Sequence, residues 1–144
     1  PYRLFVNGQP VGSGPARGDL AHWHYETYDL APFLKSGKNV LAALVWNMAE
    51  HAPVAQQTIA TAFLMQGNSA AEALVNTGAR NSGWKVAKND AYSPCSTDNM
   101  PRLRTYMVIG PGDRVDAARF PWGWETPDFD DAAWPAVRPY HHAD

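Results

Sequence analysis

Apolar and polar positions alternate from the start of the chain. Tyr2, Leu4 and Val6 fall on one side and Arg3, Phe5 and Asn7 on the other, the two-residue period of a strand. Asn7-Gly8 can take the positive φ angles of a tight hairpin turn, and Val11 resumes the return strand. Residues 12–23 show no period and read as a loop. A second alternation sets Tyr25, Thr27 and Asp29 against Glu26, Tyr28 and Leu30 and predicts a strand. Asp29 is placed to cap the short turn that follows, in which Leu30, Phe33 and Leu34 fall at helical spacing. Gly37 can close that turn in the left-handed region. Residues 38–46 form a continuous apolar run, which predicts a strand buried on both faces.

Beyond Pro53 the pattern is more broken. Residues 58–66 and 73–77 read as strands with an Asn68-Ser69 turn between them, and Trp84 with Val86 begins another. Residues 90–101 read as an irregular loop and 103–109 as a strand. From Asp116 the chain is aromatic and turn-rich, and 135–144 looks like the start of a further strand. There is no repeat, heptad or charged linker, so residues 1–144 read as a single domain. Many short strands without a long amphipathic helix predict an all-β antiparallel sandwich of the jelly-roll type.

Composition narrows the function. Six Trp, six Tyr and five Phe in 144 residues are too many for a disordered chain. A net charge of −2 with no basic block argues against nucleic acid. No apolar run approaches the roughly 18 residues of a membrane span. The single cysteine, Cys95, excludes a disulfide framework, and no catalytic pattern surrounds it.

Sugar sites set flat aromatic faces against the apolar face of a pyranose and surround them with hydrogen-bonding groups. Two clusters have that composition. One is Trp23 with His22, His24 and Glu26, preceded by Arg17 and Asp19; the other is Trp122 and Trp124 with Arg119, Glu125 and Asp128. Against both stands the ordinary role of tryptophan in a small sandwich, which is core. Trp46 and Trp84, on strands, read as core, and Trp134 as an anchor seating a turn.

His22 and His24 would share a face of an extended segment, but spacing supplies no third metal ligand, and His141-His142 lies at the terminus. Asp128, Asp130 and Asp131 could offer oxygens to calcium; a capping turn ahead of Trp134 is the simpler reading. Glycoside hydrolysis needs two carboxylates flanking one bond. Most acids here lie in turns, and no nucleophile or phosphate-loop signature is present. Residues 12–14 (GSG) read as a flexible loop.

Three blocks resemble the N-terminal accessory region of bacterial α-L-rhamnosidases. YRLFVNGQPVG with HYETYDLAPFLKSGKNVLA resembles that family's strand-NG-strand block, LVNTGARNSGWKV its "TD-x-x-W" segment, and GPGDRVDAARFPWGWETPDFDDAAW its "GExYDAR…GW…FDDSxW" signature. The last is the specific one. The first is shared with galactose-binding-like domains of β-galactosidases.

In the signature, Asp113, Arg114 and Val115 stand where the family usually has Glu-x-Tyr, and Ala118 is an extra residue before Arg119. The first strand also begins at residue 2 with nothing before it to pair with, so the chain reads as a truncated fragment of a larger glycosidase.

The resemblance implies a catalytic (α/α)₆ barrel elsewhere in the parent, inverting hydrolysis by two acids there, and action on terminal α-L-rhamnosides outside the cytoplasm, in the periplasm or secreted. The chain itself is then expected to be non-catalytic. It would either contact L-rhamnose-containing glycan, some relatives using calcium, through Trp23, His24, Glu26, Trp122, Trp124 and Arg119, or serve purely as a structural docking module against the barrel. A carbohydrate-binding module of a β-galactosidase-like enzyme is the alternative parentage.

Overall fold

The structure, a computed structural model, describes residues 1–52, 60–79, 82–96 and 111–138. The expected strand over 103–109, the His141-His142 pair, Pro53 and most of 135–144 lie outside the described residues.

The fold is all-β, with antiparallel sheets and, among the described residues, no helical segment longer than the six-residue 3₁₀ turn Ala70–Val75. The larger sheet contains β1 (Tyr2–Val6), β2 (Gln9–Gly14) and β3 (Leu41–Val45) in the order β2-β1-β3. A smaller ribbon pairs β4 (Tyr92–Pro94) with β5 (Asp113–Val115).

The alternation at the N-terminus sets the core. Leu4 and Val6 are the most deeply buried large side chains, joined by Ala42 and Ala91. The hairpin turn forms as the Asn-Gly pair predicts, with φ of 52° at Asn7 and 81° at Gly8. Leu4 faces Gly12 and Phe5 faces Pro10, which leaves Val11 as an extra residue on β2. Such a bulge on an edge strand accommodates Pro10, which has no N–H to give.

Several expectations are corrected. Far from lacking a partner, β1 is the central strand, paired with β2 on one side and β3 on the other. Residues 12–14 are not a loop but the end of β2. The apolar run over 38–46 is a strand only at Leu41–Val45 and only Ala42 is buried, because β3 lies at the sheet edge. Trp46 is consequently not core: it is exposed, with the Arg3 guanidinium 6.0 Å from its ring centre.

Residues 25–30 form no ladder. They are tied to β2 by side chains instead: the Tyr28 hydroxyl donates to the Ser13 carbonyl (3.2 Å) and Glu26 Oε1 accepts the Ala16 N–H (2.9 Å). Asp29 accepts the Ala31 N–H from one position before the N-cap of the following turn, which is Leu30; the turn ends at the extended Leu34, and Gly37, beyond it, has φ of 89°.

Neither strand predicted over 58–66 and 73–77 forms within the described residues. Residues 60–66 are irregular, and 73–75 belong to the 3₁₀ turn. Thr77 Oγ1 and Asn76 Oδ1 accept the Met65 and Gly67 N–H groups, so side chains replace the carbonyls of a ladder. Tyr92–Pro94, expected as loop, is a strand. At Trp84 and Val86 a single bridge forms, Lys85 to Ala136. Trp84 is half-buried, its indole N–H bonded to the Val75 carbonyl.

Candidate functional site

The aromatic turn after β5 is organised by one carboxylate. Asp116 Oδ1 accepts the Ala118 N–H (3.0 Å), its carbonyl accepts the Arg119 N–H (3.1 Å), and its Oδ2 faces Arg119 Nε at 3.4 Å. Asp116 is itself fixed to the ribbon, its N–H donating to the Ala91 carbonyl (2.8 Å). Aspartate suits this place because its short side chain reaches backbone donors two residues on.

The tight turn folds Trp122 back over its own start. Its indole N–H donates to the Ala117 carbonyl at 2.9 Å, and its ring lies 4.7 Å from that of Phe120, tilted by 52°. Phe120 in turn meets Tyr92 edge-on at 6.0 Å. The three rings make a continuous ladder with half-buried Phe120 in the middle and Trp122 69% exposed. A ring held by a hydrogen bond and a stacking partner has little rotational freedom left to lose on binding. The sequence singled out neither Tyr92 nor Phe120; the spacing of Phe120 two residues before Trp122 was the available signal.

Trp124 separates from Trp122. Gly123, at φ of 79°, reverses the chain between them, and Trp124 is half-buried with its ring edge-on to Phe5 at 5.5 Å. It anchors the turn to the main sheet. Glu125 is also drawn inward, and its Oε2 is buried without a hydrogen-bond partner.

The second cluster stands apart, with no hydrogen bond, ion pair or ring contact joining it to the first among the described residues. Trp23 is exposed, its indole N–H bonded to the Leu20 carbonyl (3.0 Å). Asp19 engages His22 Nδ1 with both oxygens at 3.0 Å, and these bonds with His22 and the Ala21 N–H hold its carboxyl below the usual carboxylate range. His24 is exposed and packs near Gly18. Glu26 is committed to the Ala16 N–H.

Among the described residues no group of three or more His, Cys, Asp or Glu side chains is placed to hold a metal. In the acidic turn, Asp130 accepts the Ala132 N–H and Asp131 pairs with Lys85. Trp134 lies edge-on to Phe129 at 5.3 Å and so seats this turn.

Fold and surface together define a small all-β domain that presents aromatic side chains on tight turns. The whole chain, residues 1–144, matches the family described as the alpha-L-rhamnosidase N-terminal domain, and the chain belongs to that family. No curated protein and no solved structure matches it.

Proposed function

We propose that this chain is a single, non-catalytic accessory domain of an α-L-rhamnosidase, a jelly-roll sandwich that contacts the rhamnose-bearing glycan through Trp122. The observation that carries this reading is the Tyr92–Phe120–Trp122 ladder, whose outermost indole is exposed and held in place. Arg119 and Asp116, both in the same turn and largely exposed, supply donors and acceptors for hydroxyls beside the ring. A 6-deoxy sugar such as L-rhamnose adds a methyl group to the apolar surface that an indole can cover.

Hydrolysis of terminal α-L-rhamnosides belongs, on this reading, to an (α/α)₆ barrel in the parent, acting outside the cytoplasm. The family match favours this parentage over a β-galactosidase-like one. Docking against that barrel is the second reading. It draws on Leu64 and Leu74, large apolar side chains that are strongly exposed.

Calorimetric titration with L-rhamnose and a rhamnosyl oligosaccharide, with calcium and with chelator, tests the sugar reading. Heat of binding is expected from the unaltered chain and none from Trp122→Ala. Absence of heat under every condition, or heat unchanged in Trp122→Ala, would leave only the docking reading.

A further inference from the structure

The Asn7-Gly8 pair has a chemical liability beyond its turn geometry. Asparagine followed by glycine is the pairing most open to cyclisation, because no side chain shields the attacking backbone nitrogen. The Gly8 nitrogen bonds to Asn7 Cγ, the Cγ–Nδ2 bond breaks, and Nδ2 leaves as ammonia with the proton given up by Gly8. One water molecule then opens the succinimide at either carbonyl, leaving aspartate or isoaspartate at position 7.

The fold holds Asn7 against this step. Its Nδ2 donates to the Phe33 carbonyl (2.9 Å) and to Asn39 Oδ1 (2.8 Å), while its Oδ1 accepts the Val40 N–H (3.0 Å). Its own N–H donates to the Val40 carbonyl at 2.9 Å. Asn39 is equally committed: its Nδ2 donates to the carbonyls of Lys35 (2.8 Å) and Gly37 (3.0 Å), and its Oδ1 also accepts the Lys35 N–H (2.9 Å). To bring Cγ onto the Gly8 nitrogen, the Asn7 side chain must rotate away from three partners at once.

We infer that Asn7-Gly8 is a latent deamidation site, protected by the clip to residues 33–40 and released whenever that clip opens. The reaction is also a one-way step for the fold. An aspartate at position 7 has no amide hydrogens, so its carboxylate would face the Phe33 carbonyl and Asn39 Oδ1, both acceptors. Isoaspartate additionally lengthens the backbone within a two-residue turn. Either product stops the hairpin from re-forming its clip and converts a transient opening into a lasting one.

The test follows residue 7 by peptide mass spectrometry during incubation in mildly alkaline buffer. Reaction through an open state scales with the population of that state. The native chain is expected to deamidate at least about tenfold more slowly than the same chain in denaturing urea. Asn39→Ala, which leaves the Asn-Gly pair intact, is expected to react faster than the unaltered chain in native buffer. Should that variant not fold, a urea series below the unfolding midpoint replaces it, with the rate expected to climb with denaturant. Asn7→Asp is expected to melt about 5 °C or more below the unaltered chain. Equal rates in native buffer and in urea would overturn the inference, as would a rate indifferent to Asn39 or to sub-denaturing urea. An Asn7→Asp variant melting with the unaltered chain would overturn its one-way character.

Discussion

Gly12 is a glycine because Tyr28 occupies the space a side chain would take. A Cβ there would come within 2.3 Å of Tyr28 Cε1, and the ring cannot simply swing away. Its hydroxyl donates to the Ser13 carbonyl and lies 3.3 Å from that of Tyr2, whose phenol burial pushes well above its ordinary pKa. Gly12→Ala should therefore destabilise the chain by about 1–3 kcal/mol, the usual cost of overpacking, as read by urea denaturation. A loss below a few tenths would mean that Tyr28 yields freely. The tryptophans on either side of Gly123 allow a sharper contrast. Trp124→Ala removes the ring packed on Phe5 and should cost about 2–3 kcal/mol. Trp122→Ala removes an exposed ring and should cost less than about 1 kcal/mol. Equal costs would contradict the division into anchor and platform.

At the scale of elements, the sequence revealed what local chemistry decides and missed what distant partners decide. The Tyr2–Val6 strand, the Asn-Gly turn, the Asp29 bond to the Ala31 N–H and the left-handed Gly37 each follow from residues a few positions apart, and each is present. The alternation over 25–30 was real but produced no ladder, because Tyr28 and Glu26 fasten that segment to β2 by side chains. The 38–46 run was read as buried on both faces from its apolarity, whereas its place at the edge follows from the sheet order alone. At the candidate site, composition pointed to Trp122 and Arg119, while the reversal at Gly123 that divides Trp122 from Trp124 depends on backbone geometry.

Ties between distant segments also set a pH dependence. Lys85 Nζ contacts Asp131 Oδ1 at 2.8 Å, beside the bridge from Lys85 to Ala136, and this bond holds the Asp131 carboxyl below its ordinary pKa. A depressed folded-state pKa contributes stability that is present above the unfolded value. It is lost as pH falls through the folded value. Acid titration of stability should thus show this contribution constant above about pH 5 and fading below about pH 4. Lys85→Ala should flatten that part of the profile; an unchanged profile would show that the exposed pair contributes nothing to the fold.

For the whole molecule, the order β2-β1-β3 makes the strand nearest the N-terminus its centre. The N–H groups of Asn7 and Trp46 donate to the carbonyls of Val40 and Pro1, which fixes the phase of the β1–β3 ladder. By the alternation of an antiparallel pair, Ala42 and Leu44 then bond to β1, while the backbone groups of Leu41, Ala43 and Val45 point to the outer edge. No strand among the described residues pairs with that edge. Open edges are ordinarily shortened, charged or covered, yet LAALV carries no charge. Hydrogen exchange reads this directly. In the isolated chain, the amides of Ala42 and Leu44 should exchange at least about tenfold more slowly than those of Ala43 and Val45, because only the former open with the sheet. If β3 is the edge along which an accessory domain meets its parent enzyme, the difference should vanish in the full-length protein, with Ala43 and Val45 becoming as slow as their neighbours. Uniform protection already present in the isolated chain would mean that the edge is covered from within, and β3 would no longer be open to a partner strand.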